Sequence, residues 1–196
     1  MEIKRTPPAA SGEAPRPGAA YAEPFGLLDA CHERVRRSLD LAQRLAAHVA
    51  AQGADADAAQ AAADVLRYFD LAAPLHHEDE ERHVFPLLEQ LGEPRLAAAC
   101  AALRAEHVQI AALWQQRLRP LLETVRQRTE TPDVDELARA AADFAALHTG
   151  HLEREDQLVF PAAATRLDAA AQQAMGLEMA SRRGLDLSGS AARGSR

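Results

Sequence analysis

The sequence predicts an all-α protein: an up-down-up-down antiparallel four-helix bundle followed by a short C-terminal helix. Alanine is abundant and β-branched residues are few, a composition that favours helices over strands. Apolar residues recur at helical spacing in four long segments, and the short connections between these segments make neighbouring helices antiparallel. With 196 residues, 47% of them hydrophobic, the chain can bury one substantial core.

The first two helices are predicted from the apolar pattern that follows a polar leader. Residues 1–20 are rich in Pro, Ala and Gly and are predicted to form a disordered N-terminal leader. The first helix begins near Glu23 and ends at Gly53, where a glycine can cap it. The second runs from about Asp57 to Leu91, and Pro74 should bend it. The residues predicted to face inward are Leu28, Val35, Leu39, Ala42, Leu45, Val49, Val65, Phe69, Ala73, Val84, Leu87 and Leu91.

The third and fourth helices follow at residues 95–128 and after Thr131. Thr131 and Pro132 occupy the positions expected of a cap and a first helical residue. Residues 168–196 are predicted to form a short helix through Met179 and a flexible tail, so the bundle itself spans residues 21–167. The apolar stripes of the two helices include Leu96, Cys100, Leu103, Ile110, Trp114, Val125, Leu137, Ala141, Phe144 and Leu158.

One motif occurs twice in the chain, at residues 76–86 and 151–161. It consists of a His, three residues, a Glu, an acid, two residues and then Val-Phe-Pro. The two copies lie 75 positions apart, and the same offset carries His32 onto His107. In an antiparallel bundle these positions fall at one level, and a Glu four residues after a His lies on the same helix face.

This arrangement would bury several polar side chains, and we interpret it as a metal site. Two interior carboxylates need a positive partner, and no arginine falls on the four apolar stripes near them. Imidazole together with carboxylate suits iron, zinc, copper or nickel, whereas magnesium and calcium prefer oxygen ligands. The predicted ligands are His32, His76, Glu80, His107, His151 and Glu155.

Six ligands fit two ions better than one. If both glutamates bridge, each ion receives two imidazoles and two carboxylate oxygens, and a solvent-derived oxo or hydroxo bridge adds a fifth ligand. The predicted cofactor is therefore a pair of iron ions, with manganese or zinc as alternatives. A position that stays open would accept a small diatomic ligand or peroxide.

Together these motifs resemble the hemerythrin-like (HHE cation-binding) proteins over about residues 25–166. The resemblance implies a non-haem di-iron centre that binds or senses oxygen, nitric oxide or peroxide, or handles iron in a stress response. The oxygen-carrying members place a second His four residues along the third helix, where this chain has Ala111, so reversible oxygen carriage is not expected. Those carriers also use an Asp five residues after the last His, which is Asp156 here. We favour Glu155, because it matches Glu80 and shares a helix face with His151.

Two other classes remain open. A ferritin-like di-iron oxidase or ferroxidase would use Glu-x-x-His on two helices, which Glu80 and His83 satisfy once, but Leu158 stands where the second His would be. The third hypothesis is a helical bundle that binds no metal and acts through interactions with other molecules. We expect a binding or sensing protein rather than an enzyme, with peroxide or nitric oxide chemistry as the enzymatic alternative.

Several residues near the motif receive weaker predictions. His77 and Glu81 are expected on the flank of the site, and Cys31 off the apolar stripe. His83 and His148 lie on or beside the inward face, as second-layer groups, alternative ligands or core. The aromatic residues predicted to be core are Phe69, Trp114 and Phe144.

Charge and cysteine usage restrict the partners. The formal net charge is -7 and no basic stripe is present, so we expect no nucleic acid. The two cysteines do not form a Cys-x-x-Cys pair, which is typical of a reduced, cytoplasmic protein. No stretch approaches the ~20 apolar residues of a membrane span, so no membrane association is expected.

Overall fold

The computed structural model describes residues 21, 23–128 and 132–185. The predicted disordered leader, residues 1–20, and most of the predicted tail, residues 186–196, lie outside the described residues. Within the described part of the chain, the regular secondary structure is helical and no strand occurs. The all-α prediction is therefore confirmed.

The first two long helices pack against each other across a short turn. The first spans Pro24–Gln52 and ends at Gly53, whose φ of 81° glycine adopts without strain. The second spans 56–89 and begins at Asp55, whose side chain accepts a hydrogen bond from the Ala58 N–H. Its α-helical segments are Ala56–Arg67, Ala73–Asp79 and Phe85–Glu89, and its π-helical segments are Tyr68–Ala72 and Glu80–Val84.

The third and fourth long helices have the same mixed character, and a fifth, shorter helix follows. The third consists of Pro94–Leu113, the π-helical segment Trp114–Leu118 and Arg119–Gln127. The fourth consists of Val134–Arg154, the π-helical segment Glu155–Val159 and Phe160–Ala164. The fifth, Ala169–Arg182, is capped by the Asp168 side chain.

The start of the fourth helix differs from the prediction. Asp133 is the capping residue, and its side chain accepts a hydrogen bond from the Glu136 N–H. Pro132 precedes the cap instead of forming the first helical turn, and Thr131 lies outside the described residues. The reason is that an Asp side chain in extended backbone conformation satisfies a free N–H of the first turn.

Each π-helical segment lies directly before a proline-containing turn. The prolines at positions 74, 86, 120 and 161 each come two residues after the end of a π-helical segment. Proline lacks an N–H and its ring clashes with the carbonyl four residues earlier, and a widened turn relieves both problems. The sequence predicted a bend at Pro74, and the structure has a π-helical segment before each of the four prolines.

The π turn at Glu80–Val84 also changes which residues of the second helix face inward. Leu87 and Leu91 were predicted to be core, but Leu88 is fully buried and Leu91 is 36% exposed. A π turn adds a residue to one turn of helix, so a strict period of 3.6 residues fails beyond it. The prediction for Leu91 was therefore wrong.

The helices bury two apolar clusters. One contains the predicted core aromatics Phe69, Trp114 and Phe144, whose ring centroids lie 4.9–5.6 Å apart. The other contains Leu28, Phe85 and Phe160 and includes methionines of the fifth helix. The six predicted ligands lie between the two clusters, on the four long helices.

Contacts between helices follow a simple scheme. The start of the second helix packs on the end of the third, and the end of the second packs on the start of the third. The first helix packs along the second and the fourth, the third packs on the fourth, and the fifth packs on the first.

The third helix, Pro94–Gln127, is long and apolar enough to cross a membrane when judged by length and composition alone. No such stretch was expected from the sequence, and the alanine-rich composition of this helix accounts for the difference. Core helices of soluble proteins pass the same test. Here the helix contributes Leu103, Ile110 and Trp114 to the buried clusters, so the signal is weak.

Candidate metal centre

The structure brings all six predicted ligands together in the interior. Two groups of side chains each place their ligand atoms within 4.8 Å of one another: His32 and His76 with the two glutamates, and His107 and His151 with the same two glutamates. We call these the His32/His76 half and the His107/His151 half. Both share Glu80 and Glu155, and each of the six residues is at most 5% exposed.

Each glutamate lies between one histidine of each half. The Glu80 carboxylate oxygens lie 3.3 Å from His76 Nε2 and 3.3 Å from His107 Nε2. The Glu155 oxygens lie 3.2 Å from His32 Nε2 and 3.3 Å from His151 Nε2. Two carboxylates that span two pairs of imidazoles are placed as bridging ligands would be.

The inward atoms of this cluster lack partners. The Nε2 atoms of the four histidines and all four carboxylate oxygens are buried with no hydrogen-bond partner among the described residues. Neither glutamate forms an ion pair with an arginine or lysine of the described residues, and the basic groups within 4 Å of them are histidines. Buried carboxylates without compensation are costly, so the donor set fits a cation bound between them.

The outward nitrogens of three ligands are held by carboxylates. His32 Nδ1 lies 2.7 Å from Asp156, His107 Nδ1 lies 2.7 Å from Glu81, and His151 Nδ1 lies 3.1 Å from Glu106. Because a carboxylate accepts, each Nδ1 carries a proton, which leaves Nε2 as the nitrogen that can bind a metal. Such pairs orient the ring and strengthen it as a metal ligand.

Two of these outer carboxylates, Glu81 and Asp156, follow the repeat. Glu81 and Asp156 are the acids that follow the glutamate in the two copies of the motif, and each holds the histidine of the opposite half. Glu81 does lie on the flank, as predicted, but it has this role there. Asp156 is 32% exposed, whereas Glu155 is fully buried. The preference for Glu155 as the inward group agrees with this placement.

Sequence reasoning missed Glu106. It precedes His107 on the third helix and reaches the fourth helix, where Arg154 also donates to it. An acid next to a predicted ligand was the available signal, but the partner lies 45 residues away in sequence. His76 differs from the other three ligands, because its Nδ1 is buried with no partner among the described residues.

The Val-Phe-Pro segments pack beside the centre. Phe160 stacks on His32 with ring centroids 4.9 Å apart, and Phe85 stacks on His107 at 5.8 Å. Since Phe85 and Phe160 are also 75 positions apart, each half has an equivalent phenylalanine wall, a phenylalanine ring stacked on one of its histidines. These rings exclude water and restrict the rotation of the imidazoles.

The remaining histidines have separate environments. His83 Nε2 lies 2.6 Å from Glu178 of the fifth helix, so it faces away from the centre. The Glu-x-x-His match to a ferritin-like site is therefore not used as a ligand pair. His148 Nδ1 donates to the Phe144 carbonyl at 2.8 Å. His77 stacks on His107 with ring centroids 4.0 Å apart.

Burial and hydrogen bonding set the charges of the ligands when no cation is bound. Burial lowers the pKa of His76 to about 4. It also acts to lower the pKa of His32, but the nearby carboxylates of Glu155 and Glu80 raise that pKa to about 10. Burial and the negative charge on Glu80 raise the pKa of Glu155 to about 8. Burial opposes ionisation of Glu80 as well, but the nearby imidazoles hold its pKa well below its usual range. Protons thus supply the compensating charge that a metal would otherwise provide.

The fifth helix is fastened beside the centre through Asp79. This carboxylate lies one residue before Glu80, is fully buried, and accepts hydrogen bonds from Arg182 and from Arg183, the latter at 2.6 Å. Gly176 allows the fifth helix to approach the chain before the first helix, since a Cβ there would lie 1.7 Å from the Tyr21 backbone oxygen. We call the contacts of Asp79 with the two arginines the Asp79 clasp.

Comparison with known proteins agrees with this geometry. The model of the hemerythrin HHE cation binding domain matches residues 23–163, which contain all six candidate ligands and exclude the fifth helix. An uncharacterized protein of Haemophilus influenzae is 28% identical over 169 residues, covering 86% of this chain and 95% of that protein. The chain belongs to the family of hemerythrin HHE cation-binding domain proteins.

Proposed function

We propose that this protein holds two non-haem iron ions between four histidines and two bridging glutamates, and that it binds or senses oxygen, nitric oxide or peroxide in the cytoplasm. The observation that carries the proposal is the position of each glutamate between one histidine of each half, at 3.2–3.3 Å. A single ion would not need two equivalent imidazole pairs joined by two carboxylates.

The bundle that supports this centre is proposed to run up-down-up-down. Reciprocal packing of the second and third helices, end against start, supports an antiparallel pair. The 75-residue repeat supports the same relation for the other two, because equivalent residues of both hairpins meet at one level.

In this proposal, the chain's residues have distinct tasks. His32 and His76 would hold one ion, His107 and His151 the other, and the two glutamates both. Bound iron supplies electrons and open coordination positions for a small ligand. The outer carboxylates keep each Nε2 lone pair available, and the phenylalanine walls keep water away from the ligands.

Iron is the first choice among the metals that this donor set suits, and manganese or zinc are the alternatives. We do not propose reversible oxygen carriage, since Ala111 stands where the carriers have a further ligand, and it is exposed. A ferritin-like oxidase or ferroxidase is less favoured, because His83 pairs with Glu178. In a metal-free interaction bundle, the unpartnered inward atoms would have no compensation.

Metal analysis of protein produced in iron-supplemented medium, joined to an absorption spectrum, tests the proposal. We expect about two iron ions per chain and a spectral change on addition of nitric oxide or peroxide. A metal content below about one per chain, with no spectral response to these ligands, would remove the proposal.

A further inference from the structure

The 75-residue repeat makes the two halves of the centre comparable residue by residue, and His77 breaks the equivalence. The six ligands, the outer acids Glu81 and Asp156, and the stacked phenylalanines all have equivalents at that offset. The residue equivalent to His77 is Leu152, a buried member of the apolar core. An imidazole therefore stands beside one half of the centre where the other half has an aliphatic side chain.

His77 is placed against the His107/His151 half. Its ring centroid lies 4.0 Å from that of His107 and 5.8 Å from that of His151. One nitrogen from each of these three rings lies within 4.8 Å of the others. Its own side chain is partly exposed, whereas His107 and His151 are buried, so His77 lies between this half and solvent.

The geometry argues against His77 as a further metal ligand. An imidazole ligates in its own plane, so two rings that share an ion must have planes that meet at the ion. The planes of His77 and His107 are inclined by 11° and nearly parallel, so they do not converge near the two rings. His77 also lies outside both groups that contain the glutamates.

A purely structural role does not account for His77 either. Neither of its ring nitrogens has a hydrogen-bond partner among the described residues, whereas His83 and His148 each have one. A partly buried imidazole without a protein partner keeps both a donor and an acceptor free. The free groups lie beside the His107/His151 half, and one nitrogen of His77 is within 4.8 Å of a nitrogen of each of its two histidines.

We infer that a small anionic ligand binds at the His107/His151 half, and that His77 donates a hydrogen bond to it. This hydrogen bond makes the ligand bind there in preference to the His32/His76 half. The inference rests on the proposed function. It adds which half binds the small ligand and which residue recognises that ligand. The equivalent position of the His32/His76 half offers only Leu152, which cannot donate.

Azide added to the iron-loaded, oxidised full-length protein provides the test. In His77→Leu, which copies the residue of the other half, we expect an unchanged iron content and an azide affinity weaker by about tenfold or more, from the loss of a hydrogen bond to a charged group. The infrared stretch of bound azide should shift in the same variant, which a change in packing alone would not produce. His77→Gln, which keeps a donor, should recover part of the affinity.

Two matched variants act as controls. His83→Leu removes another partly exposed imidazole of the second helix, and Leu152→Met keeps the volume at the equivalent position. Both should bind azide like the unaltered protein. Equal azide affinity in His77→Leu with full iron content would overturn the inference and leave the proposed function standing. Loss of about one iron ion per chain in His77→Leu would overturn it in favour of a ligand role, and absence of iron from the unaltered protein would remove both.

Discussion

The His32/His76 half and the His107/His151 half share their inner contacts and differ in what lies just outside. In each half, two Nε2 atoms face the shared glutamates, one imidazole is held by the acid of the opposite motif copy, and a phenylalanine stacks on a ligand. Outside this common set, His151 has Glu106 as a partner, whereas His76 Nδ1 has none among the described residues.

The repeat determines the six ligands of the two halves, but it does not determine the residues that surround them. The residue equivalent to Glu106 is Cys31, a buried thiol, and the residue equivalent to His77 is Leu152. The residue equivalent to Asp79 is Arg154, so the Asp79 clasp exists on one half only. Equal ligand sets therefore lie in unequal surroundings, and two ions held there should differ in affinity and reactivity.

Replacement of a shared glutamate should have the largest effect. Glu80→Ala and Glu155→Ala each remove a group that contacts a histidine of both halves, so each should lower the metal content of both. His76→Ala should affect mainly its own half and retain about one ion per chain. Metal analysis of the purified variants measures this. Asp156→Ala is the control and should have a smaller effect; a larger loss in Asp156→Ala than in Glu155→Ala would reassign the carboxylate ligand.

Removal of the Asp79 clasp should be the next largest effect. In Arg182→Ala/Arg183→Ala the fully buried carboxylate of Asp79 loses its partners, and we expect the free energy of unfolding to fall by about 3–5 kcal/mol. Denaturant unfolding followed by circular dichroism measures it.

Two control variants test whether the Asp79 clasp is a property of one half only. Arg154→Ala removes the equivalent residue on the other half, and Arg166→Ala removes an exposed pair with Glu93. Each should cost about 1 kcal/mol or less, since these pairs are solvent-accessible. Similar losses in all three variants would mean that water reaches Asp79 and that the clasp does not distinguish the halves.

The inner set of the centre could be predicted from the sequence because its signals are local and repeated. A His and a Glu four residues apart share a helix face, and the common offset joined His32 to His107 without any structure. All six predicted ligands lie together in the interior, although their binding of metal stays a prediction.

The outer set could not be predicted because it depends on contacts between distant segments and on irregular helix turns. Glu106 and the Asp79 clasp join residues 45 and more than 100 positions apart. Leu91 was misplaced because the π turn at Glu80–Val84 shifts the phase of the second helix, and periodicity alone does not reveal such a turn.

Glu106 and Cys31 allow a sharper test of the unequal surroundings. Glu106→Ala removes the acceptor that orients His151, and we expect metal affinity to fall by about 10- to 100-fold. Cys31→Ala changes the equivalent position, where the structure has a thiol in place of the carboxylate, and should change affinity less. Competition with a chelator measures both. Equal effects of the two variants would mean that Cys31 also supports its half.

The pH dependence of metal binding should be similar for the two halves, because each combines one imidazole of raised and one of lowered pKa. Burial lowers the pKa of His76 and His151, whereas nearby glutamate carboxylates overcome burial and raise the pKa of His32 and His107. At neutral pH, an ion entering the His32/His76 half must therefore displace the proton of His32. Affinity should rise by about tenfold per pH unit for each displaced proton, up to the pKa of about 10 for His32.

In the protein without metal, the stability of the fold should fall as the pH rises, whereas metal affinity increases with pH. A raised folded-state pKa means that the protonated His32 stabilises the fold fully below about pH 6.5, its usual value, and that this contribution is lost as the pH rises through about 10. These pKa values define an interval of about pH 6 to pH 10 for thermal melts. As the pH rises through it, the chelator-treated protein should lose stability and the metal-loaded protein should not. Parallel pH profiles of the two forms would indicate that protons and metal do not compete for the same histidines.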